Sequence, residues 1–501
     1  MSGIRLSRDF LFLILASSFA VFCLTNNVAD PDLWGHIRFG SDIIEKGEIP
    51  RTDSYSYTAY GKPWINHEWA AEVIFACLFR HLGSRGIIAL RLVSLIILGV
   101  VIRHLQRGVS CGLEWQVIVA WLVISTASYG LCFRPQLFSY LFFTLLLVLL
   151  IRKPRGYRAL TVVIFFIWAN THGGFLVGVG ALALYSVFTC ADALSKRLPR
   201  EAARAILFFA AAMAATLINP YGIGLWSFLC SSVSTGRHYL LEWAAIPAAG
   251  LSFTDFKALG VVCILSAIIS RKPWNGWLAI LTLLCGLASL RHNRHMPFFA
   301  IAATFFLPEH LNGMVERLRN PFGEFTTRDP HPLALLYVGV SLCTLAAIPA
   351  YRGRSAYSLY VPADQYPVAA VRWMKEHRLR GNCAVFFNWG EYLIWHLHDT
   401  LKVSIDGRYE TVYPARVIDD NFGFFFAGHG WRSLIDRYPT DMILVHPLNP
   451  VTPNIEKLSG WALVFSSDTA SLFLKRQAFP SLAAQRPVIA RASDSEATPF
   501  P

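Results

Sequence analysis

Charge is scarce in this chain. Only 15% of its 501 residues are Asp, Glu, Lys or Arg, while 54% are hydrophobic. That balance excludes an ordinary soluble protein of this length and fits a polytopic membrane protein. The cysteines, 10 in all, form no CxxC pair, so neither a zinc ribbon nor a dithiol redox motif is present. Most lie in apolar segments (Cys23, Cys190, Cys263, Cys285, Cys343). Cys383 is alone in the large polar segment near the C-terminus, so no disulfide closes within that segment. Zinc-finger spacing, RNP motifs and basic runs are also missing, which argues against nucleic acid as a partner. The net charge of +13 therefore reads as Lys and Arg in cytoplasmic loops. No internal repeat of fixed period is found.

Apolar segments are what the chain has in abundance. Segments near the length needed to span a bilayer run over 10–27, 86–104, 113–130, 135–151, 158–170, 174–193, 204–219, 257–270, 276–290, 295–308 and 333–350. The expectation is an α-helical polytopic membrane protein with about eleven transmembrane helices. Arg5 and Arg8 precede the first segment. Many spans follow and no small-x-small cleavage site is seen, so it reads as an uncleaved span. With the N-terminus cytoplasmic, every inside loop is basic: Arg103 and Arg107; Arg152, Lys153, Arg155 and Arg158; Lys196, Arg197, Arg200 and Arg204; Arg271 and Lys272; Arg317 and Arg319. This consistent bias sets the orientation.

Three regions then face outward. The first is the loop 28–85. In it Asp30 reads as a helix N-cap, Pro31 as the first helical residue and Asp32 as part of the first turn. An amphipathic surface helix follows and ends near Gly47. A second helix starts near Asn66 and carries His67, Glu68, Trp69 and Glu72. The second region, 220–256, enters through Asn219-Pro220-Tyr221-Gly222 and carries Arg237, His238, Glu242 and Trp243. The third is a periplasmic α/β domain over 351–476. Its helices are expected at 367–376 and 391–397, its strands at 384–387, 403–405 and 442–445. Alternating strands and helices predict a mostly parallel sheet. The tail 477–501, rich in Ala, Pro and Ser, is expected to be disordered. Residues 1–350 form the membrane domain.

Polar residues at span ends are costly unless paired or wet, so they are the candidates for function. They are Arg134 and Gln136, Asn170 and His172, Asn219 and Tyr221, and Arg291, Asn293, Arg294 and His295. With loop 28–85, His36 included, they can line one outward cavity. Asp30 and Asp32 lead as catalytic groups. A carboxylate can take a proton from an acceptor hydroxyl, and an Asp-x-Asp pair can hold a divalent metal. Helix capping and dipole compensation explain the same two residues. His67 and Glu68 read as substrate or metal groups, or as the polar start of an interfacial helix. Arg291, Arg294 and His295 lie on the side with few basic residues. They read as a phosphate site or as snorkelling groups, and Arg134 reads alike. Asn388-Trp389-Gly390-Glu391-Tyr392 and Ile405-Asp406-Gly407-Arg408-Tyr409-Glu410 follow strands, where α/β sheets bind ligands. An Asp406–Arg408 contact within a turn is the plain alternative for the second.

The chain resembles the GT-C superfamily of integral-membrane glycosyltransferases. The resemblance rests on an acidic motif (Asp30-Pro31-Asp32) in the first outer loop, about a dozen spans and a C-terminal domain on the same face. It is most similar to bacterial multi-pass proteins sharing Asp-Pro-Asp-Leu-Trp (30–34), Trp-Ala-Asn-Thr-His-Gly-Gly (168–174), Asn-Pro-Tyr-Gly (219–222) and Ile-Asp-Gly-Arg-Tyr-Glu (405–410). The resemblance implies a polyprenyl-phosphate-linked sugar donor and a glycan, lipid or protein acceptor at the outer face of the bacterial inner membrane. It also implies an acidic base at Asp30 or Asp32 and Arg291 and Arg294 on the lipid phosphate. Some members use a divalent cation, Mg or Mn, for which Asp30 and Asp32 are the expected ligands. The Trp-Trp-Asp motif of oligosaccharyltransferases is missing, which argues against transfer to Asn. A transporter or flippase of lipid-linked sugars and a non-enzymatic scaffold are the competing functions.

Overall fold

The computed structural model describes residues 6–234, 236–318, 334–490 and 498–500. Arg5 and Arg319 of the basic-loop reading lie outside them. The chain divides into two compact units.

The first unit comprises 1–27, 89–223 and 236–357 and is helical. Its helices fall where hydropathy places them: Arg8–Leu24, Arg91–Gly108, Leu113–Ser128, Gln136–Arg152, Tyr157–Thr171, Phe175–Ser195, Pro199–Thr216, Thr254–Ser270, Gly276–Arg291, Met296–Arg317 and Ala334–Arg352. Among the described residues, four helical stretches are long and apolar enough to cross a membrane: Ser84–Gly108, Phe175–Ser195, Asn293–Arg317 and Ala334–Arg352. Several others are apolar but shorter, so an eleven-span count goes beyond what length and composition give. Met296–Arg317 is the core of this unit. It is buried from Met296 through Pro308 and packs against Thr254–Ser270, Gly276–Arg291 and Leu113–Ser128. Leu92, Ile264 and Leu283 are exposed apolar residues on peripheral helices, as lipid-facing positions require.

The second unit is assembled from three stretches of chain, 28–88, 224–235 and 358–501. The segment expected as the first outer loop of the membrane domain clusters instead with the sheet. In chain order the strands are β1 (Tyr360–Val361), β2 (Gly381–Val385), β3 (Leu401–Val403), β4 (Met442–Val445), β5 (Trp461–Ser466), β6 (Ser471–Lys475), β7 (Val488–Ile489) and β8 (Thr498–Pro499). Six form one sheet in the order β3-β2-β4-β6-β5-β7. β2 pairs in parallel with β3 and β4, whereas β6 runs antiparallel to both β4 and β5. With β7 parallel to β5, three of the five pairings are parallel, so the sheet is mixed with the expected parallel majority. A tight β5–β6 connection, closed by the Ala470 carbonyl accepting from Ser467 N–H, reverses the chain without the crossover helix that parallel pairing needs. Ala384, Ile443, Val445 and Phe473 on these strands pack on Phe424, Phe425, Leu434, Val451 and Ile455.

Two local expectations are corrected. The first helix of loop 28–85 spans Leu33–Lys46, with Asp32 rather than Asp30 at the cap position. Its apolar face, including Leu33, Trp34 and Ile37, is buried in protein. The tail is ordered over its first part: Pro480–Ala483 is helical and β7 pairs with β5, because Phe465 and Ser466 offer it an edge. Residues 491–497 and 501 lie outside the described residues.

Candidate functional site

An acidic cluster gathers in the second unit from motifs far apart in sequence. Asp30 Oδ1 accepts the Asp32 N–H at 3.0 Å, an Asx turn that starts the Leu33–Lys46 helix. The Asp32 carbonyl accepts the His36 N–H at 3.1 Å, so Asp32 and His36 share one helix face. Between them, the buried Gly35 N–H donates to Glu391 Oε2 at 3.0 Å. Glu391 lies in the first turn of the Gly390–Leu397 helix. A Cβ on Gly35 would collide with the Glu391 carboxylate, and one on Gly407 would sit 2.5 Å from Asp32 Oδ1 and 2.6 Å from Glu391 Oε1. Two glycines thus allow two carboxylates to converge at one place. Burial, then the charges of Asp32 and Asp406, push the Glu391 carboxyl well above the usual carboxylate range.

Beside this pair, His36 meets Glu68 and Glu72. His36 Nδ1 is 3.7 Å from Glu72 Oε1 and 3.9 Å from Glu68 Oε2. These separations are electrostatic contacts rather than hydrogen bonds, and among the described residues the buried His36 Nδ1 has no hydrogen-bond partner. Glu72 is fixed by Asn66, whose Nδ2 donates to its Oε2 at 2.5 Å, and Asn66 Oδ1 accepts the Glu68 N–H. His67 Nε2 lies 3.7 Å from Glu68 Oε1. Burial opposes charge on His36, but Glu72, Glu68 and Asp32 outweigh it and raise its pKa. Burial likewise raises the pKa of Glu72. One imidazole nitrogen and two carboxylate oxygens lie within 4.8 Å of one another, a spacing that could hold a metal ion. Mixed nitrogen and oxygen donors suit Mn or Zn better than Mg. Asp30 and Asp32, the ligands expected from sequence, are not part of this set.

Arg408 braces the cluster. It is buried, with Nη2 2.7 Å from both Asp53 Oδ1 and Asp406 Oδ2 and Nε donating to Asp406 Oδ1 at 2.8 Å. Phe39, Tyr55 and Trp64 surround its guanidinium at 4.7–5.1 Å. The Tyr413 hydroxyl donates to Asp406 Oδ2 at 2.6 Å. The turn contact proposed for Asp406 and Arg408 is therefore present. It pins Gly407 in place beneath Asp32 and Glu391.

The remaining candidates belong to the first unit. Arg134 Nη1 and Arg294 Nη1 reach the two oxygens of Glu242 at 2.7 and 3.0 Å. The guanidinium groups of Arg237 and Arg294 lie 3.9 and 4.5 Å from the Trp243 ring centre, and His295 packs on that ring edge-on. Burial works against the Glu242 charge, but Arg294, Arg134 and Arg237 overcome it and lower its pKa. Three guanidinium groups face one carboxylate, leaving an excess of positive charge. Arg291 is exposed at the end of its helix and lies outside this network. His172 is buried in a separate network: its Nδ1 is 2.7 Å from Ser139 Oγ, which accepts from Trp168 Nε1. Tyr221 is held in a turn by Asn219 Oδ1, which accepts its N–H at 2.8 Å.

Sequence reasoning named Glu72, Arg237 and Trp243 only as passengers and Glu391 only as part of a strand-end motif. Their spacing carries no local signal. The one hint is a glycine within each motif, Gly35 three residues after Asp32 and Gly407 directly after Asp406.

No family model and no curated sequence matches the chain. Solved structures do. The archaeal oligosaccharyltransferase AglB from Archaeoglobus fulgidus, in complex with an inhibitory peptide and a dolichol-phosphate, superposes with a TM-score of 0.51 at 12% identity over 87% of this chain and 69% of that one. The A. fulgidus oligosaccharyltransferase tethered to an acceptor peptide containing the NVT sequon gives 0.52 at 10% identity, covering 93% of this chain and 73% of that one. The arabinofuranosyltransferase AftD from Mycobacteria gives 0.50 at 16% identity over 94% of this chain, which spans 40% of AftD. This chain has a GT-C-like fold.

Proposed function

We propose that this protein is a multi-pass glycosyltransferase of the bacterial inner membrane. It transfers a sugar from a polyprenyl-phosphate-linked donor to an acceptor hydroxyl on the outer face. The N-terminus is cytoplasmic and the sheet unit periplasmic, with the membrane domain crossing about eleven times. The observation that carries the reading is the convergence of Asp32 and Glu391 over Gly407, on a fold shared with lipid-dependent glycosyltransferases.

Asp32 is the base. As the acceptor oxygen bonds to the anomeric carbon, the bond from that carbon to the phosphate oxygen breaks. The hydroxyl proton passes to Asp32 and the lipid phosphate leaves as an anion. Glu391, pushed toward its neutral form, lets Asp32 keep its charge, because two adjoining carboxylates do not both ionise readily. Asp30 orients Asp32 through its backbone. A divalent cation held by His36, Glu68 and Glu72 would supply positive charge against developing negative charge. In the helical unit, taken by itself, Arg134 and Arg294 are the candidates for a lipid phosphate, since guanidinium matches phosphate oxygens bidentately.

The test is transfer in vitro from a fluorescent polyprenyl-phosphate sugar by wild type, Asp30→Asn, Asp32→Asn and the double variant. Loss of a general base costs about 10²–10⁴-fold in kcat. Asp32→Asn is expected to lose that much and Asp30→Asn far less. Wild-type turnover in the double variant sinks the assignment.

A further inference from the structure

A cleft of about 400 Å³ opens in the sheet unit. Its position follows from the sheet topology. β2 has parallel partners on both sides, β3 and β4, and the chain leaves β2 toward one of them and returns on the other. Crevices for ligands form outside the carboxyl ends of strands at such a switch point. Phe386, Asn388 and Trp389, which follow β2, line the cleft, as do His446 and Asn449, which follow β4. Pro31, the residue between Asp30 and Asp32, completes one wall with Gln365 and Tyr366.

The lining contains no Asp, Glu, Lys or Arg. It combines aromatic rings with side-chain amides and an imidazole. Asn449 Oδ1 and His446 Nδ1 accept the backbone N–H groups of Val451 and Leu448, while the Gln365 and Asn388 amides each carry a donor and an acceptor side by side, the pattern offered in return by vicinal hydroxyls. Aromatic rings supply flat apolar surface for the C–H face of a pyranose or furanose. A phosphate or carboxylate ligand would find no cation here. The platforms are fixed: Trp389 Nε1 donates to the Gln365 carbonyl at 2.8 Å and the Tyr366 hydroxyl donates to the Ala29 carbonyl at 3.0 Å. The Gln365 and Asn388 side chains, in contrast, are exposed at the cleft. The volume lies within the range of small-molecule pockets and leaves room for a short saccharide.

We propose that this cleft is a subsite for a neutral saccharide and, resting on the transferase reading above, that it holds the acceptor. The saccharide part stands without the transferase part, and the experiment separates them. Saturation-transfer NMR is recorded on the full chain in lipid nanodiscs, which avoids sugar-headed detergents. The probes are mannose, galactose, arabinose, N-acetylglucosamine and chitobiose, with inorganic phosphate and citrate as anionic controls.

At least one neutral sugar is expected to bind wild type and Asp32→Asn alike. Binding is expected to weaken by at least about tenfold, or 1.4 kcal/mol, in Gln365→Ala/Asn388→Ala and in the cleft-filling Asn388→Trp. Thermal melts of these exposed-site variants should match wild type. The proposal is overturned if no neutral sugar binds, if anions bind in their place, or if both variants bind as wild type does. Transfer by Asp32→Asn at the wild-type rate, with sugar binding intact, would instead overturn the base assignment and leave the subsite standing as a saccharide site.

Discussion

Glu391 accepts the Gly35 amide hydrogen at 3.0 Å across 356 positions of chain. One bond thereby ties the start of the Asp32 helix to the turn after β2. Glu391→Gln keeps an oxygen acceptor for that amide, whereas Glu391→Ala leaves a buried N–H unpaired. An unpaired buried donor costs about 1–3 kcal/mol. Thermal unfolding of both variants in nanodiscs should show the Ala variant destabilised by that amount and the Gln variant at or above wild type. Equal melting of the two would mean the bond contributes nothing.

The same residue sets a pH dependence. Its folded-state pKa is raised above the value of about 4.3 for an unfolded Glu. The folded protein therefore binds the proton more tightly than the unfolded chain. Stability from this group is fully present below about pH 4.3 and is lost as pH rises through the folded-state pKa. Glu391→Gln removes the titration. Its melting temperature should exceed that of wild type by a margin that widens as pH rises above about 4.3. A constant margin would show that Glu391 does not titrate in that range.

These relationships mark where the sequence stops being readable. The helices of the first unit, such as Gln136–Arg152 and Phe175–Ser195, are written in local hydropathy, and their bounds were legible to within a few residues. β4 was equally legible, as a buried four-residue apolar run. β5 and β6 were not, because their apolar runs, 461–465 and 472–474, are too short to assign by periodicity alone and only mutual pairing makes them strands. Asp32 was legible as a candidate because Pro31 and the preceding apolar segment set it apart. Its partner Glu391 was not, since closure over hundreds of residues depends on glycines whose role is to be small. Asp30 and Asp32 were expected together on a metal. Asp30 instead spends one oxygen on the Asp32 backbone, a competition between capping and ligation that spacing alone cannot decide.

Metal binding follows from the orphaned His36 nitrogen. Purified protein titrated with Mn²⁺ or Zn²⁺ should bind one ion per chain. His36→Ala and Glu72→Gln should each weaken binding by about tenfold or more, because each removes a ligand or its charge. Chelation should lower the melting temperature of wild type, as loss of a ligand bound only to the folded state must. Asp30→Asn keeps an oxygen for the Asp32 amide and should bind metal as wild type does. Equal affinity in His36→Ala and wild type would remove His36, Glu68 and Glu72 as the site.

The Arg134–Glu242–Arg294 network makes a prediction with a built-in contrast. A hydrogen bond to a charged group contributes about 1.5–3 kcal/mol, or roughly 10–150-fold in affinity. Arg134→Ala and Arg294→Ala should each raise KM for the lipid-phosphate donor within that range. Arg291→Ala should change it little, because Arg291 is exposed and outside the network. Glu242→Gln gives the sharper result. Glu242 occupies both guanidinium groups with a single carboxylate, so neutralising it frees positive charge for an incoming phosphate. If Arg134 and Arg294 bind the donor, Glu242→Gln should lower donor KM and make it more sensitive to salt. If they only hold Glu242 in place, the same variant should loosen the segment around Trp243 and leave donor KM unchanged. Donor KM for these four variants at low and high ionic strength distinguishes the two roles.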